Sequence, residues 1–305
     1  MSEAAAPPDR RVTVACVTHN SAAVIGDMLA SIPPDIPVII CDNLSDDGTP
    51  DIVARDRPSA TLIRRDVNDG YGRGMNRALA VVDTPYAFLM GPDTTLADGA
   101  IERLAGTAER FPGAGLVGPE IRNPDGSVEL SHDVELERRA ALGRRDGEPA
   151  PAGPLCADFL SGAGWLVRMD ALRAIGGFDP AIFLYYEDDD VCRRMRRTGY
   201  SLVLDPAAVI THIGGGSVPA TGTYSWFKYW HMGWSRLYFA RKHGGAAWGE
   251  YLRTAPRLLV KAAFYALTVQ SGKARRDLAR FSGMTAALRG KPSTATVPAG
   301  PRQAP

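Results

Sequence analysis

The sequence predicts an α/β fold built on a doubly wound, mainly parallel sheet. From Val12 onward, short apolar runs alternate with helical patterns, which is how successive βα units read. Each of the first four apolar runs ends abruptly in a polar loop. The chain has 305 residues, of which 45% are hydrophobic and 23% charged, so it can bury a large core and is neither fibrous nor disordered as a whole.

The strands are expected at 12–18, 37–41, 61–64 and 85–90, with helices at 21–31, 49–56, 71–82 and 97–110. The stretch 119–154 is rich in Pro, Gly and charge and reads as a long loop joining the halves 12–118 and 119–223. FLSGAGWLV (159–167) reads as a strand, MDALRAIGGF as a short helix and turn, DDDVCRRMRRTGY as a helix, and 201–212 as strands. Residues 1–11 are expected to be flexible, 224–290 helical, and 291–305 a disordered low-complexity tail.

In sheets of this kind ligands gather beyond the carboxyl ends of the strands, so the loops after residues 18, 41, 64 and 90 are the candidate site. Thr18, His19 and Asn20 end the first strand ahead of Ser21, a residue able to cap a helix; small polar groups and amides there can hold a diphosphate or a nucleoside. His19 itself reads as structural. Asp42 and Asn43 leave the second strand, and a carboxylate there can accept the N3 proton of a uracil or thymine ring; the competing reading is a turn-forming Asx residue. NDGYGRGMNRAL, from Asn68 through Gly70 and Gly72 to Leu79, places glycines ahead of a helix whose dipole favours phosphate. Its GxGxG spacing, after the third strand, disfavours a dehydrogenase. Asp93, after YAFLM, either begins a turn or holds a hard divalent cation, because Mg²⁺ and Mn²⁺ take oxygen ligands and bridge phosphates. His212, in THIGGGS, is a second candidate metal ligand or a donor to a leaving phosphate.

Taken together and in order, VACVTHN, ICDNLSDDGT, NDGYGRGMN and FLMGPDT, followed by FLSGAGWLVRMDALRAIGGFDPAIFLYYEDDDVCRR and ITHIGGGS, resemble the inverting family 2 glycosyltransferases of GT-A fold over about residues 12–217. Within that family the chain looks most like bacterial rhamnosyltransferases. The resemblance implies a mixed central sheet, Asp42 at the base, Asp93 reaching the diphosphate through Mn²⁺ or Mg²⁺, and Glu187 with Asp188 at the acceptor beside Gly162, Gly164 and Asp190. Asp188 is the candidate base that takes the acceptor's proton opposite the leaving diphosphate. Glu187, Asp188, Asp189 and Asp190 also suit a helix start, where the dipole favours anions, and their mutual repulsion would raise one pKa. The family's acidic motif usually has Asp or Asn where this chain has Gly91, which leaves Asp93 as its only carboxylate. Rival readings are a nucleotidyltransferase of similar fold and a degenerate nucleotide-sugar-binding scaffold.

The net charge of +1 hides an asymmetry: residues 224–305 hold 14 basic and 2 acidic side chains. That extension also carries Trp226, Trp230 and Trp234 at helical spacing, a stripe expected to be core. The segment from Leu258, followed by GKARRDLARF with Arg275, Arg276 and Arg280, reads as interfacial helices on an anionic membrane surface rather than as a nucleic-acid site. The expected partners are thus a nucleotide-diphosphate sugar, a glycan or polyprenyl-linked acceptor and an anionic leaflet. Cys16, Cys41, Cys156 and Cys192 form no CxxC pair and are expected to pack in a reducing compartment. With no signal-peptide pattern and no apolar stretch of membrane-spanning length, the expected location is cytoplasmic, at the inner face of the plasma membrane, in cell-envelope polysaccharide synthesis.

Overall fold

A computed structural model of the chain describes residues 11–133, 151–213 and 222–296. The expected flexible start (1–11), part of the 119–154 segment and the end of the 291–305 tail therefore lie largely outside the described residues. The described parts form two compact units. The first takes in the chain up to Asn68, Gly74–Phe178 and Asp188–Ser217; the second takes in Asp69–Arg73, Asp179–Glu187 and Val218 onward.

In order, the elements are β1 (Val12–Thr18), α1 (Ile25–Ser31), β2 (Val38–Asp42), α2 (Thr49–Asp56), β3 (Thr61–Arg64), α3 (Tyr71–Leu79), β4 (Tyr86–Met90), β5 (Thr94–Leu96) and α4 (Ala100–Arg110). There follow β6 (Ala114–Arg122), β7 (Val128–Glu129), β8 (His132–Asp133), β9 (Leu155–Ala157), β10 (Phe159–Leu160), β11 (Gly164–Arg168), α5 (Met169–Ala174), α6 (Glu187–Arg197) and β12 (Ser201–His212). The last three are α7 (Gly222–Lys242), α8 (Ala247–Leu267) and α9 (Ser271–Leu288).

The main sheet runs β3-β2-β1-β4-β11-β6-β12-β5. β1, β2, β3 and β4 are parallel, while β11 enters antiparallel between β4 and β6. All residues of β1, β2 and β4 are buried, which is why these strands read as unbroken apolar runs: a parallel strand covered on both faces has no solvent side to mark with polar residues.

Several expectations shift. The 119–154 loop is corrected at its start, because β6 carries the sheet through Arg122 and pairs with β12. Pro119 sits there opposite Asp205, where β12 bulges before Val209, and a bulge is where a central strand tolerates a residue that cannot donate. The two expected halves consequently share one sheet. FLSGAGWLV is two strands, β10 and β11, parted by a turn. α1 starts at Ile25 instead of residue 21, since the carbonyl of Ser21 accepts from Val24 and Ile25 in a preceding turn. Of the cysteines, Cys16, Cys41 and Cys192 are buried as expected, but Cys156 is exposed on the short strand β9.

In the second unit, Trp226, Trp230 and Trp234 are 7%, 2% and 3% exposed and form the unit's own core with Leu237, Leu258 and Met284. Backbones approach closely where α7 and α9 cross. A side-chain carbon at Gly233 would lie 2.1 Å from the Arg280 carbonyl oxygen, and one at Gly283 would lie 2.0 Å from that of Trp230. The tail expected to be disordered instead begins packed: the Trp234 indole donates to the Lys291 carbonyl at 2.7 Å, and Ser293 pairs with His231 at 2.9 Å. Among the described residues no helix is long and apolar enough to cross a membrane.

His231 is fully buried between aromatic rings, its ring 4.8 Å from Phe183 and 4.5 Å from Phe227. Burial pushes its pKa down from 6.5 to about 4, a hydrogen bond at Thr294 opposing. The folded state therefore keeps the ring neutral where the unfolded chain protonates it. Stability is full above pH 6.5 and falls as the pH drops from 6.5 toward 4, by about 3 kcal/mol at 1.36 kcal/mol per pKa unit. Denaturant midpoints measured across this window should show the slope, and His231→Phe should flatten it.

Candidate active site

The carboxyl ends of the parallel strands bring most of the expected residues to one edge of the sheet. Thr18 stands beside Asp42 in the β1–β2 register, and Cys16 beside Met90 in β1–β4. Because β11 is antiparallel, its start, Gly164, pairs with Met90, so the 161–163 turn opens on the same edge. The Thr94 hydroxyl donates to the Ala163 carbonyl at 3.3 Å, and His212 pairs with Thr94 across β12–β5.

At the first two loops, Asp42 is 1% exposed and accepts from the Thr18 hydroxyl at 2.7 Å, the Ser45 hydroxyl at 2.5 Å and the Ser45 amide at 3.1 Å. Its Asx-turn role is thus real, and it coexists with the strand-end placement that a base contact needs. Asn20 is held in the left-handed region (φ 51°); its side chain accepts from the Asp46 amide at 3.0 Å and its own amide donates to Ser45 at 2.8 Å. Its part is to tie the first loop to the second. His19 bonds the Asn43 carbonyl at 2.8 Å, in keeping with a structural role. Asp47 and Thr49, which sequence reasoning passed over as a polar turn, do most of the bracing. Although burial opposes it, the Thr49 hydroxyl and the amides of Ala22 and Thr49 hold the Asp47 carboxyl below its usual range.

The glycines of the third loop serve close packing. A side-chain carbon at Gly70 (φ 85°) would lie 2.3 Å from the Phe183 carbonyl oxygen, which also accepts the Tyr71 amide at 3.1 Å. One helix-start amide is therefore committed to protein instead of phosphate. Gly72 is buried and Asn68 half-buried. Gly74 lets α3 pack closely, since a side-chain carbon there would lie 2.9 Å from the side chains of Asn43 and Val17.

Asp93 is 9% exposed, and its carboxylate lies 3.8 Å from His212 Nε2. Glu129, which sequence reasoning missed, reaches His212 Nδ1 at 3.2 Å. That contact raises the His212 pKa, burial opposing it and the Asp93 charge adding to it. A ring that keeps its proton donates to phosphate; one that loses it can ligate a metal. No local signal could have found Glu129, since 83 residues separate it from its partner. Gly91 gains a physical reason, because a side-chain carbon there would lie 2.7 Å from Asp93 Oδ1. Among the described residues no group of three or more His, Cys, Asp or Glu side chains is placed to hold a metal. Asp93 and His212 nonetheless fit two positions of an Mn²⁺ or Mg²⁺ site whose remaining ligands come from substrate phosphates and water. Gly214–Ser217, the rest of the THIGGGS motif, lie outside the described residues.

Asp188 opens α6 half-buried, its carboxylate accepting the Asp189 amide at 3.0 Å. A side-chain carbon at Gly162 would sit 3.3 Å from Asp188 and 3.8 Å from Trp165, so the missing side chain lets the 161–163 turn pack closely against the start of α6. The Trp165 indole N–H is buried with no protein acceptor. Immediately before Glu187 and Asp188, Tyr185 and Tyr186 adopt φ of 65° and 71°, at about 1–3 kcal/mol each for side chains of this size. Such a pair persists only where the surroundings hold the backbone in place. Gly164 is packed between Ile210 and Phe88. Asp190 is 0% exposed and paired with Arg194 at 2.7 Å, so it braces α6 rather than facing a ligand directly.

A mixed sheet with its carboxylates gathered in this way has the architecture of the GT-A glycosyltransferases. A mannosyltransferase from Pyrobaculum calidifontis, solved with GDP-Man and Mn²⁺, shares it at a TM-score of 0.59 with 18% identity, over 94% of this chain and 90% of that one. GalNAc-T7, solved with UDP, GalNAc and Mn²⁺, does so at 0.51 with 10% identity over 66% of this chain, which spans only 43% of that protein. Residues 13–176, more than half of the sequence, match the family described as glycosyl transferase family 2, and the chain belongs to that family. N-acetylglucosaminyl-diphospho-decaprenol L-rhamnosyltransferases of Mycobacterium tuberculosis strains CDC 1551 and H37Rv are 30% identical over 268 residues, 73% of this chain and 86% of theirs. The protein is a rhamnosyltransferase-like glycosyltransferase.

Proposed function

We propose that the protein is an inverting rhamnosyltransferase that moves the sugar of dTDP-rhamnose onto a polyprenyl-diphosphate-linked glycan at the inner face of the plasma membrane, in cell-envelope polysaccharide synthesis. The observation that carries this reading is Asp188, set at the start of α6 behind a strained backbone and packed against Gly162 of the 161–163 turn. The activity for which the mycobacterial relatives are named supports the donor sugar and the acceptor class.

In this mechanism Asp42 and the Thr18–Ser45 bonds around it orient the nucleoside, and Asp93 with His212 positions the diphosphate. Asp93 and His212 would hold a divalent ion, which would supply charge neutralisation of the leaving group. Asp188 takes the proton of the acceptor hydroxyl as that oxygen bonds to the anomeric carbon. The bond from that carbon to the diphosphate breaks on the opposite face, its electron pair leaving with the nucleoside diphosphate.

The test is an assay of dTDP-rhamnose with a short-chain prenyl-diphospho-N-acetylglucosamine, read by nucleotide release and by the anomeric configuration of the product. The expected result is dTDP release matched by one transferred sugar of inverted configuration. Retention would reject the single-displacement mechanism, and transfer from a different nucleotide sugar alone would reject the donor.

A further inference from the structure

The basic side chains that the sequence pointed toward a membrane are engaged within the helical unit. Arg276 pairs with Asp277 at 2.8 Å, while Arg275 and Arg280 lie over the rings of Trp226 and Tyr229 at 5.8 and 4.8 Å. A different surface is open. On α8, Trp248, Leu252, Val260, Phe264 and Leu267 are each more than half exposed, at 64%, 64%, 70%, 58% and 85%. At 100° per residue Val260, Phe264 and Leu267 fall opposite the buried Leu258 and Ala262, and Leu252 and Trp248 extend the same apolar side round to its edge beside Ala255. Arg253, Arg257 and Lys261 follow at four-residue intervals along one border of that side, all exposed. The one acidic residue of α8, Glu250, is turned to Arg236 at 2.6 Å and also pairs with Arg253.

An apolar side bordered by an unbroken row of cations is complementary to one kind of surface, acyl chains beneath anionic headgroups. A second copy of the chain in antiparallel two-fold apposition meets it poorly, because that arrangement brings the cationic rows together. We propose that α8 lies in the interface of an anionic bilayer, with its Trp248–Leu267 side at the acyl boundary and Arg257 and Lys261 at the lipid phosphates. This rests on the reading above that the acceptor is lipid-borne.

Trp248 offers a direct probe, since the other four tryptophans are at most 7% exposed. The full chain is mixed with phosphatidylcholine vesicles, with and without phosphatidylglycerol, including vesicles with brominated acyl chains. The expected result is partition that requires phosphatidylglycerol, weakens with salt, and quenches a signal that Trp248→Phe removes. Val260→Glu combined with Leu267→Glu should lower partition by about tenfold or more, since two exposed apolar side chains contribute at least 1.4 kcal/mol between them. Arg257→Glu with Lys261→Glu should abolish the preference for anionic lipid. Unchanged partition of the Val260/Leu267 variant overturns the proposal, as does a wild-type dimer in size-exclusion that the same variant dissociates. Transfer to the water-soluble acceptor is measured alongside. Transfer without vesicle binding sinks the bilayer proposal alone, and vesicle binding without turnover of any nucleotide sugar sinks the rhamnosyltransferase reading alone.

Discussion

Asp188→Asn is expected to lower kcat by about 10³-fold, within the range that a positioned general base supplies, while the donor still binds. The amide keeps the size of the side chain and the oxygen that accepts the Asp189 amide at 3.0 Å, so the start of α6 and its packing against Gly162 should be retained. What it removes is the capacity to take a proton. Calorimetric titration with dTDP-rhamnose separates the two functions: unchanged affinity with lost turnover assigns proton transfer to Asp188, whereas turnover near wild type would reject the assignment. Loss of both would point to a structural part in the donor site instead. The adjacent Asp190 gives the contrast. Its carboxylate is buried against Arg194, so Asp190→Asn leaves a buried guanidinium short of its partner and should show first as lost stability.

Gly283→Leu is expected to be the most damaging substitution in the helical unit. Its first side-chain carbon would meet the Trp230 carbonyl oxygen at 2.0 Å and the Trp234 amide nitrogen at 2.9 Å, both backbone atoms of α7 that no rotamer change can move. Relief requires the two helices to separate, which opens the core around Trp230 and Trp234. Overpacking of this kind costs about 3 kcal/mol, and a melting temperature lowered by roughly 5–10 °C should follow. Gly272→Ala tests the argument by its sign. That glycine lies on the same helix with nothing within 4 Å, so alanine should be neutral or stabilising there. Equal loss from both substitutions would overturn the crossing argument, since leucine and alanine both raise helix propensity over glycine.

Legibility followed the range of the interactions. β1, β2 and β4 could be read because burial on both faces leaves an apolar run as a local signal. β6 could not, because its Gly and Pro residues look like loop until β12 supplies the bulge that accommodates Pro119. The helical character of the extension was visible by period. The crossing of α7 and α9 was not, since Gly233 and Gly283 are fifty positions apart and each is unremarkable alone. At the site, Asp42 and Asp93 announced themselves as carboxylates ending or following apolar strands, whereas Asp188, in a run of four carboxylates that also suits a helix start, came from the resemblance. Glu129 depended on a strand register that no local pattern encodes, and the left-handed Tyr185 and Tyr186 run against the preference of bulky residues, so no propensity argument would place them there.

The exposure of Cys156 has a practical consequence. Cys16, Cys41 and Cys192 are enclosed, and burial, helped by the neighbouring Asp93 charge, pushes the Cys16 thiol up and away from reactivity. A maleimide dye added to the native protein would therefore attach at one place on β9 with unit stoichiometry. The natural sequence thus already contains a single-site handle for tethering or fluorescence, outside every loop assigned a part in catalysis.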